Sequence, residues 1–439
     1  MAENKKTVGI YTLGCKVNQY ESEAIAERLT DAGFLILPPT ESCGAYIINT
    51  CTVTAESDRK ARQFIRRAIK SNPSAFIVVT GCLAQTGADT LKMIEGIDVI
   101  TGNTKKLSAA DELIKLFELG KKNVSPAVIL EDIDSAPFEK ISICRFDRTR
   151  AYVKIEDGCE NHCAYCIIPS ARGHVRSKSM DDVIREVSRL TSGGCREVVL
   201  TGIETASYGR DLGGKALLGD LLCEVDRIEG IGRVRLGSLD PSLIREPFVD
   251  KIAGLSSLAP HFHLSLQSGS SRVLALMRRK YNADQAMAAI ELLRSRIPRV
   301  QFTTDVIVGF PGETEEDFKA TCDLIDRVGF LNVHIFPYSK RAGTPAAVMK
   351  EQIPEDIKRE RLHILEGIVA DRRSQILRKE IETAPVRRVL FESSANGKIY
   401  GHTAEFLEVA APSQTPLHGE FADVRLTDTD GILCFGELI

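Results

Sequence analysis

No apolar run in this 439-residue sequence is long enough to cross a bilayer, which excludes a helical membrane protein. The N-terminal stretch MAENKKTVGIYTLGC lacks the apolar core and small-residue cleavage site of a secretory signal, so a cytoplasmic protein with no membrane partner is expected. Net charge is also nearly absent. Lysine and arginine number 57 against 60 aspartates and glutamates, a formal charge of −3. A nucleic-acid partner would therefore have to be gripped by local basic patches. No repeat of fixed period and no low-complexity tract occurs, which excludes solenoids and disordered arrays. Hydrophobic residues at 43% and charged residues at 27% are ordinary for a globular protein of two or three domains.

Hydrophobic patterning divides the chain into four stretches. Residues 6–118 alternate β-rich runs (TVGIYTL, AYIINT, AFIVVT) with helical segments such as DRKARQFIRRAIK, which predicts a parallel α/β domain with both faces covered. Residues 119–148 have little periodicity and read as a connector. Residues 149–375 carry six strand-like runs, from AYVKIED to NVHIFPY, separated by helices; six βα units predict a partial barrel rather than a complete eight-unit one. Residues 351–381 read as a charged helix. The last stretch, 376–439, holds short strands broken by Gly and Ser and predicts a small all-β, OB-like module. The expected fold class is α/β followed by this β module.

Twelve cysteines in a reducing compartment are not expected to form disulfides. Three of them, Cys159, Cys163 and Cys166 in EDGCENHCAYCIIP, form a C-x3-C-x2-C loop directly after the first barrel strand. Three thiolates so placed can hold three corners of a 4Fe–4S cube and leave one iron free. The amino and carboxylate groups of S-adenosylmethionine can occupy that iron, and one electron can then break its sulfonium bond. A structural zinc loop is the rival, but zinc wants a fourth ligand and no second C-x2-C pair follows. A second set is dispersed. Cys15, Cys51 and Cys82 each end a strand of the first domain, at separations of 36 and 31 residues. Parallel strands bring such ends to one sheet edge, where open α/β sheets bind ligands, so this triad is read as a second metal site rather than as core cysteines. Cys43, Cys144, Cys195, Cys223, Cys322 and Cys434 share no such placement and are expected as small core residues.

The segments TLGCKVN, NTCTVT and TGCLAQ, followed by GCENHCAYCIIP, resemble the radical-SAM methylthiotransferases over nearly the whole chain. TLGCKVNQYESE, TAESDRKARQFIRR, LMRRKYN and FPYSKRAGTPAA are most similar to the subclass that acts on N6-threonylcarbamoyladenosine beside the anticodon of tRNA. The resemblance implies two 4Fe–4S clusters. That on Cys159, Cys163 and Cys166 would cleave S-adenosylmethionine, and that on Cys15, Cys51 and Cys82 would carry the sulfur inserted at C2 of adenine. It also implies a TRAM-like C-terminal module, an external electron donor, and S-adenosylmethionine and tRNA as partners. Tyr165 would pack near the cofactor's adenine. Thr201, Gly202 and Glu204 in LTGIETASYG, Gln267 and Ser268 in SLQSGS, and Gly309 in GFPGET are further candidate cofactor contacts; GFPGET lacks the GK[ST] of a phosphate loop.

Basic residues are candidate tRNA contacts. Arg59, Arg62, Arg66 and Lys70 share one helical face shortly after Cys51, and Arg278, Arg279, Lys280, Lys340 and Arg341 fall around the barrel mouth. Arg172 in the ARG segment is either a family feature or a structural ion pair. Residues 383–439 carry four basic residues, Arg387 and Arg388 among them, against eight acids. That balance disfavours phosphate binding unless one face concentrates the arginines. Rival functions are a ribosomal-protein methylthiotransferase, which resembles SLGCPKN at the first cysteine, one acting on isopentenyladenosine, with a YGCQMN-type start, and a non-catalytic iron–sulfur electron carrier. A cobalamin enzyme is also weighed, but its DxHxxG-like loop is absent.

Overall fold

The structure is a computed structural model that describes residues 6–146, 148–214, 217–383 and 385–439. Its first layer is a six-stranded sheet of Leu35–Leu37, Thr7–Thr12, Ala45–Thr50, Phe76–Gly81, Val99–Thr101 and Ala127–Ile129, in that spatial order and parallel throughout. Alternation along the strands feeds two cores. Ala45, Ile47 and Val78 pack with Ile25, Leu29, Leu113 and Leu116 on one face. Tyr46, Ile48, Ile77 and Val79 pack with Ala61, Ile65 and Ala68 on the other. The helix Ala55–Ser71 shows why this works: Ala61, Ile65 and Ala68 recur on one buried face, and Thr54 caps its N-terminus by accepting from the Ser57 amide. The stretch expected as a connector contributes the edge strand Ala127–Ile129; three residues, two of them exposed, leave too little pattern to read.

The six central strands form as expected: Arg150–Lys154, Glu197–Thr201, Arg233–Leu236 continuing into Ser238–Leu239, His261–Gln267, Gln301–Val308 and Asn332–Pro337. Each pairs in parallel with, or bridges to, its sequence neighbour. The helices between them bury Val183, Val187, Leu221, Leu222, Ile290, Leu293, Phe318 and Ile325 against the strands. All strands point the same way, so every strand-to-helix loop opens at one end.

The helix Glu355–Thr383 places Leu365 and Val369 in the central core and Leu377 in the core of the last module. That module is a closed five-stranded barrel in the order Val386–Ala395, Lys398–Thr403, Glu408–Pro412, Cys434–Leu438, Phe421–Thr429. It docks on the N-terminal ends of the central strands. Arg233 donates to the carbonyls of His402 and Arg388, and Arg235 to those of Thr403 and Ala404, while both pair with buried Glu197. Among the described residues, no helix is long and apolar enough to cross a membrane.

Candidate active site

Thr7–Thr12, Ala45–Thr50 and Phe76–Gly81 are immediate neighbours in the first sheet, so the loops carrying Cys15, Cys51 and Cys82 leave one edge side by side. Side chains stitch these loops together. The Asn18 amide donates to the carbonyls of Leu13 and Thr50 at 2.7 and 3.0 Å, and the Thr50 hydroxyl donates to the Thr80 carbonyl at 2.6 Å. Gly14 has a φ of +98°, and a Cβ there would sit 2.8 Å from Cys51 Cβ and 2.9 Å from its sulfur. The residue before Cys15 is glycine because the Cys51 side chain fills that space. Cys82 and Cys51 are buried; Cys15 is exposed. Burial pushes the Cys51 thiol up to about 12, and the nearby charges of Cys82 and Cys15 add to the shift.

Cys159, Cys163 and Cys166 sit where the first central strand ends. The short strand Glu156–Asp157 pairs with Arg176–Ser177, and the Cys159 amide donates to the Gly173 carbonyl. The other flank of the loop is held by Met277, whose carbonyl accepts from the Ala164 amide, and by Ala346, whose amide donates to the Ala164 carbonyl. Burial drives the Cys159 thiol upward and Cys166 to about 12. Left alone, such thiols keep their protons, so a soft metal would have to displace them.

Both triads have donors aimed at sulfur, which is what a thiolate ligand requires. Arg279 Nη1 lies 3.1 Å from Cys163 Sγ and the Ile168 amide 3.4 Å from Cys166 Sγ. Arg172 Nε lies 3.4 Å and Asn103 Nδ2 3.6 Å from Cys82 Sγ. Three clustered thiols with charged or amide donors behind them fit an iron–sulfur cluster and leave one corner without a protein ligand. Among the described residues, the one group of three ligand atoms within 4.8 Å of one another is His263, Asp305 and His334, so neither triad is closed around a single zinc ion.

Between the triads lies a buried charge network that the sequence only half revealed. Arg172 is fully buried and joins Glu21 at 2.6 Å, Asn18 at 2.5 Å and Asp157 at 3.2 Å. Lys154 bridges Glu21 and Asp157, and Lys106 reaches Glu21 and Asn103. Burial alone would raise Glu21, but Arg172, Lys106 and Lys154 hold its carboxyl well below the usual range. Glu21, Asn103 and Lys106 come from the first domain, Lys154, Asp157 and Arg172 from the second. Arg172 is thus a buried ion pair that also touches Cys82 of the first triad. Of the six remaining cysteines, Cys43, Cys195 and Cys434 are buried as expected, Cys223 and Cys322 are half-buried, and Cys144 is exposed, in a segment without regular structure.

The candidate cofactor residues gather around the second triad. Tyr165 is half-buried and meets Phe310 edge-on, with ring centroids 6.5 Å apart. Glu204 accepts from Asn161 at 2.6 Å, and burial together with the charge of Asp240 lifts its carboxyl to about 7. Thr201 is buried at its strand end, and Gly202 has no room for a Cβ, which would fall 2.5 Å from Glu156 Oε2. Glu156 itself escaped the sequence reading. It is fully buried, holds the Glu204 amide at 2.7 Å, and its other oxygen has no partner among the described residues. Gln267 ends its strand at a φ of +70°. Two other candidates are engaged inside the protein: the Ser268 hydroxyl with Thr321 and the Ser270 amide, and the Gly309 amide with Glu313.

Several expected tRNA contacts are corrected. Arg279 is buried between Cys163 and Asp240, and Arg341 is tied to Thr52 and Asp58 of the first domain at 2.7 Å. Arg387 is buried against Glu380, so the C-terminal arginines do not form a patch; Arg388 lies over the Phe421 ring. The acids of that module are instead spent on docking: Glu392 pairs Arg150, Glu405 pairs Arg299, Glu408 pairs Arg373 and Glu420 pairs Arg196. On the helix Ala55–Ser71, Arg59 is held by Glu56, whereas Arg66 and Lys70 are exposed.

Comparison with known proteins places this site in context. A family model described as the radical SAM superfamily matches residues 153–325, and one described as uncharacterized protein family UPF0004 matches residues 7–102. The chain is 38% identical over 430 residues to the threonylcarbamoyladenosine tRNA methylthiotransferase MtaB of Bacillus subtilis, covering 96% of this chain and 93% of that one. It is 40% identical over 392 residues to the protein of that name in Thermotoga maritima, covering 88% and 87%. It is 34% identical over 439 residues to the tRNA-2-methylthio-N(6)-dimethylallyladenosine synthase of Carboxydothermus hydrogenoformans, covering 98% of each. Among solved structures, the radical S-adenosylmethionine methyltransferase TsrM of Kitasatospora setae, with cobalamin and a [4Fe-4S] cluster bound, shares the fold at a TM-score of 0.58 and 17% identity, over 78% of this chain and 77% of that one.

Proposed function

The chain belongs to the radical-SAM methylthiotransferase family, and we propose that it adds a methylthio group to C2 of N6-threonylcarbamoyladenosine next to the anticodon of tRNA. It is an enzyme that uses S-adenosylmethionine and a 4Fe–4S cluster on a tRNA substrate. The observation that carries the finer reading is the placement of two cysteine triads at the strand ends of two adjoining α/β units, joined by Arg172. Bound clusters would supply one electron to cleave S-adenosylmethionine and an iron free of protein to hold sulfur. C2–H of a purine is neither acidic nor activated, so side-chain acids and bases have no handle on it.

The residues divide this work. Cys159, Cys163 and Cys166 would hold the cluster that meets S-adenosylmethionine, with Arg279 fixing Cys163. Tyr165, Thr201, Gly202, Glu204 and Gln267 would line the cofactor, Glu204 reaching its ammonium group when ionised; Ser268 and Gly309 would shape the turns behind them. Cys15, Cys51 and Cys82 would hold a second cluster, with Asn103 and Arg172 behind Cys82. Arg66 and Lys70 would meet tRNA phosphates, and the C-terminal barrel would act as a TRAM-like contact. An external one-electron donor would complete the system.

Anaerobic reconstitution tests this. About eight irons per chain are expected, falling to about four in the Cys15, Cys51, Cys82 to Ala triple variant. That variant should still cleave S-adenosylmethionine yet leave tRNA unmodified by nucleoside mass spectrometry. About four irons in both proteins, or modified tRNA from the variant, would overturn the reading.

A further inference from the structure

Lys16, directly after Cys15, opens the helix Lys16–Asp31 and lines a cavity of about 240 Å³ inside the central barrel. The other charged groups of this cavity are matched. Arg150 pairs with Glu392, Arg235 with Glu197 and Arg373 with Glu408. Asp305 meets His263 and His334, each at 3.2 Å, and the far nitrogen of His263 lies 2.9 Å from the Thr303 hydroxyl. Lys16 alone has no ion pair and no hydrogen bond to its ammonium among the described residues. Lys16 is itself exposed. An unmatched ammonium facing a chamber rich in arginine and histidine lacks one thing, an anion.

We propose that Lys16 is a specificity-determining residue whose ammonium pairs with the carboxylate of the N6-threonylcarbamoyl group held in this cavity. The inference rests on the function proposed above. C2 and the N6 substituent flank N1 of the same adenine ring, so a base presented to the Cys15 triad extends its substituent toward groups beside that triad. Lys16 is the residue next in the chain. An isopentenyl group has no charge to offer and would leave the ammonium without its partner. The pairing needs no bond to form or break; it positions the base and selects it.

The test compares two anticodon stem-loops, one with the threonylcarbamoyl acid and one with its neutral amide, on reconstituted enzyme at matched iron content. The wild type should favour the acid by about a hundredfold in kcat/KM. Lys16→Gln and Lys16→Met should lose that preference, falling about a hundredfold on the acid and little on the amide, while Lys16→Arg keeps most of it. Equal wild-type rates on acid and amide, a requirement involving no variant, would overturn the proposal. So would variants that lose activity equally on both, since that is a structural effect. A wild type that modifies neither stem-loop would overturn the functional reading, and this proposal with it.

Discussion

At Gly14 the chain takes a backbone conformation few side chains tolerate, against the flank of Cys51. Gly14→Ala should therefore displace Cys51 and cost the second triad its metal. Iron after reconstitution should drop from about eight to about four per chain, with the first cluster's absorbance retained. Wild-type iron content in this variant would refute the crowding argument. The cysteines themselves were legible in the sequence, because C-x3-C-x2-C is local and strand-end positions follow from topology. Arg172, Arg279, Glu156 and Asn103 were not legible as partners of the site. Arg172 reaches Glu21 and Arg279 reaches Cys163 across more than a hundred residues, and no spacing rule reaches that far. Arg341 was misread for the same reason: an arginine on a loop looks like a phosphate contact until Asp58 is found beside it.

At the scale of elements, amphipathic helices and strands were legible almost to the residue; Ala283–Arg296 and Glu315–Val328 coincide with their sequence patterns. What escaped were the short edge strands and one break. KIYGHTAEFLEVA reads as one strand, yet it turns at Phe406, whose φ is +74°. The ring explains the break. It stacks between His261 and His402 at 4.7 and 4.6 Å and lies under the guanidinium of Arg235 at 4.7 Å, closing the N-terminal end of the central barrel. Phe406→Ala should lower stability by about 2 kcal/mol, less than for a fully buried phenylalanine. The loss should be visible as a lower thermal midpoint of the apoprotein with iron uptake unchanged. A variant as stable as the wild type would mean that the backbone relaxes enough to offset the lost ring.

For the whole molecule, charge distribution matters more than its near-zero sum. The acids of the C-terminal barrel face arginines of the central domain, and the buried network around Glu21 spans the first and second domains. Arg172→Ala would strand Glu21 and Asp157 with two lysines and an empty guanidinium site. Breaking a buried ion pair of this kind costs about 3–5 kcal/mol. Denaturant unfolding should show that loss, and Arg172→Lys should recover only part of it, because an ammonium cannot reproduce the guanidinium's fork. Full stability in Arg172→Ala would show that the network contributes nothing.

That shared network also bears on ancestry. Glu21 lies in the first domain with Lys106, and its other counter-charges, Arg172 and Lys154, lie in the second. A gene rearrangement that swapped one half for that of a distant lineage would bury unmatched charge at the seam. The two halves are therefore bound to drift together, each substitution in one constrained by its complement in the other.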